Sequence, residues 1–199
     1  DREAAASYDI VVTATSSDGS SATQSYTIAI NDLDEFDITP VSDSDASANG
    51  LAENAVAGTA VGIVAQASDA DATNSAVSYS VDDARFSVDA DGTVRVANGA
   101  SFDYETEASI DITVTATSAD GSTSSQAFTL AVSDVNEAAV SAISDSNAAS
   151  NAVDENSAIG TAVGITAFAS DADGTATVSY SLSNDAGGLF AIDASTGEV

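Results

Sequence analysis

Apolar and polar residues alternate along short segments of the chain. In SIDITVTATS (109–118) every second residue is apolar, from Ile110 to Ala116, and QAFTLAVSD (126–134) follows the same pattern. A period of two places the apolar side chains on one face of a β-strand, so each segment predicts a strand with one buried face. The pair Asp120-Gly121 lies between the two segments and predicts a hairpin turn.

The same pattern occurs elsewhere in the chain. SYDIVVTATS (7–16) and QSYTIAIND (24–32) form a second pair of predicted strands around Asp18-Gly19, and VSYSV (77–81) and VSYSL (178–182) predict two more. No segment has a sustained helical period, and the aromatic residues at strand spacing are interpreted as core. Many short strands with frequent turn signals predict an all-β fold of immunoglobulin-like sandwiches with Greek-key topology.

The chain contains an internal repeat. Glu155-Asn156 lies 102 residues after Glu53-Asn54, Asp171 lies 102 after Asp69, and DRE at residue 1 returns as DYE at residue 103. This interval fits a small autonomous domain. We predict the end of one repeat at 1–35, a whole repeat at 36–137 and the beginning of a third at 138–199. Because the chain starts within the pattern, we expect it to be part of a longer protein.

The charge balance is strongly acidic. The chain has 32 Asp and Glu residues, only three Lys and Arg residues, and a formal net charge of −29. Self-repulsion of this size destabilises a compact fold unless cations relieve it. The shortage of basic residues argues against nucleic acids and anionic membranes as partners. No apolar run approaches the roughly 20 residues that span a bilayer, so we expect no membrane insertion within this segment.

The amino acids that are absent restrict the possible chemistry. Without His or Cys, the chain lacks the usual zinc ligands and cannot form Ser-His or Cys-His nucleophiles. A glycoside hydrolase could use carboxylates alone, but no Trp is present to form a sugar platform. No D-[ST]-G motif of an aspartic protease occurs either, and we expect no enzyme. A carbohydrate-binding module is the alternative, which exposed aromatic pairs on one sandwich face would favour.

Two carboxylates recur two residues apart in ASDADATNS and ASDADGTAT. In an extended segment, Asp69 and Asp71 would point to the same side and repel each other unless a cation lay between or beside them. Hard divalent ions, Ca²⁺ above all, take six to eight oxygen ligands. One Asp pair cannot supply that number, so we expect other acidic motifs with the same 102-residue interval to contribute.

The order of these motifs resembles that of the cadherin family. Glu-Asn in LAEN and DEN, DRE and DYE, DAD, ADG and the linker DVNEA follow the order of the calcium motifs of cadherin repeats. FAIDASTGEV resembles a strand pair of the same family. The chain is similar to the cadherin-like arrays of large bacterial surface adhesins. This resemblance implies an extracellular, cell-surface array in which Ca²⁺ stiffens a spacer or adhesive rod.

The resemblance also implies ligands for calcium at two junctions between repeats. At the first junction they are Asp1, Glu3, Asp32, Asp34 and Glu35 from the upper repeat and Asp69, Asp71 and Asp120 from the lower repeat. At the second they are Glu53, Asp103, Glu105, Asp134, Asn136 and Glu137 from the upper repeat and Asp171 and Asp173 from the lower repeat. Glu155 is the matching glutamate of the third repeat. The implied partners are neighbouring repeats, with homophilic, cell-surface or polysaccharide contacts through other parts of the parent protein.

Other acidic motifs are interpreted as turns. DADGTATVSYSL and DADGTVRVANGA begin like EF-hand loops but lack the glycine at position six and the glutamate at position twelve. Asp89 and Asp91 therefore predict a plain turn, and Asp43 and Asp45 precede a strand as turn residues often do. At the two ends of the chain, partial repeats would leave strand edges open, so we expect aggregation or head-to-tail pairing between copies.

Overall fold

The computed structural model describes all of residues 1–199 as strands, turns and loops. It contains no helix of the length and apolarity that crossing a membrane requires. The chain divides into two compact units, Asp1–Phe102 with Glu107–Ser133, and Asp103–Thr106 with Asp134–Val199. The strands are β1 (Ser7–Thr15), β2 (Ser21–Ala29), β3 (Ser42–Asp43), β4 (Gly50–Ala52), β5 (Ala60–Gln66), β6 (Val77–Val81), β7 (Phe86–Val88), β8 (Thr93–Val96), β9 (Ser109–Ser118), β10 (Thr123–Ser133), β11 (Ser144–Asp145) and β12 (Ala167–Phe168).

Two four-stranded sheets form a β-sandwich in the first unit. One sheet has the order β4-β10-β9-β6 and the other has the order β3-β5-β8-β7. β9 and β10 pair in antiparallel register, β6 pairs antiparallel to β9, and β4 pairs parallel to β10. The predicted fold class, an all-β immunoglobulin-like sandwich, is confirmed.

The core of the sandwich comes from the alternating residues of both sheets. Ile110, Ile112 and Val114 on β9 are at most 1% exposed, and so are Val61 and Ile63 on β5. The polar residues between them on β9 are exposed or half-buried. Burying each such side chain contributes about 1.5–3 kcal/mol, so the period-two pattern predicted both the strand and its buried face.

The hairpin β1–β2 has the predicted strands but no buried face. β1 and β2 pair from Ser7↔Ala29 to Thr15↔Ser21, and Gly19 in the turn has φ = 89°. All residues of both strands are exposed, including Tyr8 at 52% and Tyr26 at 53%. Since β1 and β2 hydrogen-bond only to each other, the interpretation of these aromatic residues as core is wrong for the hairpin.

The second unit contains little regular strand. β11 pairs with β12, and Thr166 forms an isolated bridge with Glu198. The predicted strand at VSYSL is not formed, because no strand pairs with residues 178–182, although the Tyr180 N–H donates to the Ala194 carbonyl at 3.0 Å. FAIDASTGEV contains no regular strand and forms a turn, closed by the Asp193 N–H donating to the Glu198 carbonyl at 2.9 Å. An apolar groove is lined by Val163, Ile165, Phe190 and Val199 among others.

Candidate metal centre

The Asp-Ala-Asp motifs at 69–71 and 171–173 each form a tight turn a few residues after a strand. The Asp69 carboxylate accepts a hydrogen bond from the Asp71 N–H at 3.1 Å, and Asp171 does the same for Asp173 at 3.3 Å. Asp side chains often close turns in this way. The first carboxylate closes the turn, and the second is buried, with Asp71 5% and Asp173 6% exposed.

The first cluster consists of Asp34, Asp71 and Asp120 in the first unit. One carboxylate oxygen from each lies within 4.8 Å of the others. The Asp71 Oδ1 accepts the Glu35 N–H at 3.3 Å. Partial desolvation and the charges of Asp120 and Asp71 raise the pKa of Asp34 above its usual value, because each disfavours the ionised form. The cluster therefore concentrates like charge that a cation would relieve.

Two serines form hydrogen bonds with aspartates in or beside the first cluster. The Ser118 hydroxyl, only 3% exposed, donates to Asp69 Oδ2, and this bond lowers the pKa of Asp69. Asp120 accepts the Ser122 N–H at 2.6 Å and the Ser122 hydroxyl at 3.1 Å.

A further exposed group, formed by Asp1, Glu3 and Glu35, has oxygens within 4.8 Å of one another. The Glu3 carboxylate also accepts the Ala72 N–H at 3.2 Å.

The second cluster consists of Asp134, Glu137 and Asp173 in the second unit, again with one oxygen of each within 4.8 Å of the others. Asp173 Oδ1 accepts the N–H groups of Glu137 and Ala138 at 3.2 and 3.1 Å. Asp173 Oδ2 accepts the Asn136 side-chain amide at 2.5 Å. Both oxygens of this buried carboxylate are therefore hydrogen-bonded within the protein.

Three buried side-chain oxygens have no hydrogen-bond partner, and all three belong to the predicted calcium ligands. They are Asp32 Oδ1, Asp71 Oδ2 and Asp134 Oδ1. Leaving such an atom unpaired costs about 1–3 kcal/mol, and more when the group is charged. Calcium binds oxygen at about 2.3–2.6 Å, so ligands on opposite sides of an ion are about 4.6–5.2 Å apart. The oxygen donors, their spacing and the unpaired atoms fit a calcium ion.

The remaining predicted ligands occupy varied positions. Glu53 is 7% exposed just after β4, and its N–H donates to the Ser133 carbonyl at 3.1 Å. Glu105 accepts the Gly174 N–H at 2.5 Å within the second unit. Asp103 accepts the Thr106 N–H at 3.3 Å, and Glu155 is exposed. Asp32, Asp103 and Glu155 lie outside both clusters, as do Asp69 and Asp171, which close the turns.

Three residues of the site were not identified from the sequence. Besides Ser118, these are Thr73 and Thr175, whose hydroxyls donate to Asp32 Oδ2 and Asp134 Oδ2 respectively. Both threonines stand two residues after the second Asp of Asp-x-Asp. The shared interval of 102 residues was a signal that could have identified them.

The predicted turn forms at Asp89 and Asp91, whereas Asp43 is the last residue of strand β3. Asp91 Oδ1 accepts the Thr93 N–H at 3.0 Å, and Asp89 forms an ion pair with Arg95 at 2.7 Å. Asp43 Oδ1 accepts the N–H groups of Asp45 and Val64, each at 3.0 Å. These carboxylates are thus used by their own turns and ion pairs.

Comparison with known proteins gave structural matches alone. A scan against protein-family models and a search of curated proteins gave no match. Among solved structures, the chain is similar to extracellular cadherin domains 3–6 of protocadherin gamma B2, with a TM-score of 0.68 and 21% identity. It is also similar to mouse cadherin-23 EC22-24, with a TM-score of 0.68 and 24% identity, and to human CDH23 EC21-23, with a TM-score of 0.71 and 21% identity.

Each of these matches covers 100% of this chain, which spans 49%, 64% and 68% of the respective structures. The chain is thus shorter than the multidomain structures it resembles. At this level of identity the likeness concerns the fold. The chain has a cadherin-like fold of all-β immunoglobulin-type sandwiches.

Proposed function

We propose that this chain is a calcium-binding array of cadherin-like repeats that serves as an extracellular spacer or adhesion rod. The observation that carries the proposal is the set of three buried carboxylate oxygens without a partner, at Asp32, Asp71 and Asp134. All three belong to motifs that keep the 102-residue interval. A merely solvated acidic surface would expose its carboxylates to water instead of burying them unpaired.

Within each unit, the residues of a linker and of an Asp-x-Asp turn would hold the ion. In the first unit these are Asp32 and Asp34 from the linker with Asp71 and Asp120. In the second they are Asp134 and Glu137 from the linker with Asp173. When bound, Ca²⁺ would supply two positive charges and six to eight coordination positions for oxygen.

The protein's own groups already define part of each site. Backbone N–H groups of the linker bind the second Asp of Asp-x-Asp, from Glu35 to Asp71 and from Glu137 and Ala138 to Asp173. Repulsion among the carboxylates opposes this approach, most clearly at Asp34. Hydrogen bonds thus hold the linker against the Asp-x-Asp turn, whereas repulsion between carboxylates pushes the two apart. A cation that removes the repulsion would strengthen this contact. We infer that calcium stiffens the linkers between repeats.

The proposed location is supported by the structural neighbours and by the donor set. The solved neighbours are extracellular cadherin domains, and a chain without His or Cys has a donor set suited to a hard cation. We propose that the parent is a cell-surface protein, and in its finer form a large bacterial adhesin. Its partners would be neighbouring repeats and a surface ligand bound by other parts of the parent. We assign it a binding role and no catalytic one.

Calcium and chelator should give different stabilities and lengths. Extracellular calcium modules bind at about 10⁻⁴–10⁻³ M. At ten times Kd, each occupied site would stabilise the protein by RT ln 11, about 1.4 kcal/mol. We expect a higher melting temperature and a longer particle by small-angle scattering in calcium than in EDTA. Equal stability and length in the two buffers would refute the proposal, and magnesium, which demands a tighter octahedron, should substitute poorly.

The carbohydrate-binding alternative would need an aromatic platform. Tyr8 and Tyr26 are exposed on neighbouring strands of the hairpin, with Ile10 opposite Tyr26. In the complete repeat, however, the residue 102 positions after Tyr8 is Ile110, which is 1% exposed. The matching face is therefore interior in the complete repeat, although it is exposed in this hairpin, and the repeat pattern does not favour a sugar platform.

A further inference from the structure

Two threonine hydroxyls bind the linker aspartates in the same way in both units. Thr73 Oγ1 donates to Asp32 Oδ2, and Thr175 Oγ1 donates to Asp134 Oδ2. In the second unit the Thr175 N–H also donates to the same oxygen at 3.1 Å. The two threonines and the two aspartates are each 102 residues apart. The arrangement thus recurs as a unit of the repeat.

Each of these carboxylates is held at one oxygen and bare at the other. The partner oxygens, Asp32 Oδ1 and Asp134 Oδ1, are buried and have no hydrogen bond. The last torsion of an Asp side chain is broad, so burial alone does not determine which oxygen faces the site. Thr is β-branched and restricted at χ1, so its hydroxyl has a well-defined position. The bond to one oxygen therefore fixes the torsion of the carboxylate and leaves the other oxygen unpaired and in a defined direction.

We propose that Thr73 and Thr175 are positioning residues for the calcium sites, each fixing one oxygen of the linker aspartate so that the other faces the ion. This inference rests on the proposed calcium-binding function. Hydrogen bonds that orient metal ligands are typically worth 10–100-fold in metal affinity. Because both threonines are exposed, we expect a loss near the lower end of that range, about tenfold.

The chain supplies its own matched control. Thr27 donates to Asp9 and Thr129 donates to Asp111, each at 2.6 Å, on the exposed faces of β1–β2 and β9–β10. These two pairs also recur at 102 residues and have the same hydroxyl-to-carboxylate chemistry, but neither aspartate is a predicted calcium ligand or has a buried oxygen without a partner. Removing these hydroxyls changes hydrogen bonding without touching the proposed sites.

The test is calcium titration of the full chain by isothermal calorimetry, with melting temperatures in EDTA as a check on folding. T73V/T175V should weaken calcium binding about tenfold, T73S/T175S should restore it because Ser keeps the hydroxyl, and T27V/T129V should bind like the parent chain. Unchanged or tighter binding by T73V/T175V would overturn the inference, as would an equal loss in T27V/T129V.

The outcome separates this inference from the function on which it rests. A parent chain that binds calcium, with a T73V/T175V variant that binds equally well, refutes only the positioning role. A parent chain that binds no calcium refutes both. If T73V/T175V melts well below the parent in EDTA, the Ser variant carries the decision: failure to recover affinity while recovering the melting temperature would show that the hydroxyls serve folding and not the ion.

Discussion

The two acidic clusters share one pair of matching residues, Asp71 and Asp173, yet they hold their charge differently. In the first cluster Asp34 faces Asp71, whose Oδ2 is buried and unpaired, and the pKa of Asp34 is raised. In the second, Asn136 stands 102 residues after Asp34, and its amide donates to Asp173 at 2.5 Å. The residue at position 34 or 136 therefore determines whether the second oxygen of the buried aspartate has a hydrogen-bond donor: Asn136 supplies one to Asp173, and Asp34 supplies none to Asp71.

The difference concerns what a cation would relieve at each site. At Asp173 the protein has already supplied three hydrogen bonds, and the bare oxygen belongs to Asp134. At Asp71 a single N–H bonds Oδ1 while other carboxylates surround it. We therefore expect the first site to depend more on calcium for its stability and the second to be the better ordered without it.

Removing the buried aspartates should have the largest effect. Asp173→Ala loses three hydrogen bonds, at about 1 kcal/mol each, so we expect the free energy of unfolding in EDTA to fall by about 2–3 kcal/mol. Asp71→Ala loses one bond and relieves repulsion, so it should cost less than about 1 kcal/mol. Denaturation in EDTA measures both. In calcium, each variant should lose calcium binding at its own site. If the two substitutions lowered the free energy of unfolding in EDTA equally, the proposed difference between the two sites would be contradicted.

Exchanging the amide and the carboxylate should transfer part of the difference. Asp34→Asn should weaken calcium binding at the first site about tenfold, equivalent to about 1.4 kcal/mol, because it removes a ligand charge. In EDTA the same substitution should raise stability, because it relieves repulsion among the carboxylates. Asn136→Asp should strengthen calcium binding at the second site and lower stability in EDTA. Calorimetric titration and melting curves provide the two readouts. Weaker calcium binding in both variants would show that charge at this position is not what distinguishes the sites.

Ser118→Ala should have a moderate effect confined to the first site. The Ser118 hydroxyl binds Asp69, which closes the turn that presents Asp71. We expect calcium affinity to fall a few-fold, as when an orienting hydrogen bond is lost. Ser125→Ala is the control, since its hydroxyl bonds Thr115 at 2.8 Å on an exposed strand face. If calcium affinity fell equally in both variants, the loss would not come from the hydrogen bond at the first site and the prediction would be wrong.

Asp111→Ala should have the smallest effect. Asp111 lies on the exposed side of β9, where it accepts the Thr129 hydroxyl at 2.6 Å. We expect unchanged calcium affinity and a loss of about 0.5 kcal/mol in stability. Asp134→Ala, by contrast, should clearly weaken calcium binding. If the two substitutions changed calcium affinity equally, general charge screening and not a defined site would explain any response to cations.

The sequence predicted the strands better than their burial. The alternation at 109–118 and at 7–16 predicted β9 and β1 equally well, but Ile110 is buried and Tyr8 is exposed. A period of two identifies which side chains share a face, whereas burial depends on the strands that pair and pack beside it. β9 has β6 and β10 as neighbours, while β1 has only β2.

The acidic positions could be predicted in outline, and the polar groups that orient them could not. Recurrence at 102 residues, together with the resemblance to cadherin motifs, predicted Asp71, Asp134 and Asp173 as ligands. Ser118 and Thr73 were missed because Ser and Thr are abundant in this chain and a hydroxyl shows its role only through its partner. Which oxygen of Asp32 remains unpaired likewise depends on side-chain torsions, which residue spacing does not specify.

The most direct test of calcium binding is a crystal structure of the chain grown in millimolar calcium, with anomalous scattering to identify the ions. We predict ions within about 2.3–2.6 Å of the three oxygens that lack partners, Asp32 Oδ1, Asp71 Oδ2 and Asp134 Oδ1. If these oxygens instead bind only water or protein groups under those conditions, the carboxylate clusters are not calcium sites and the proposed function is contradicted.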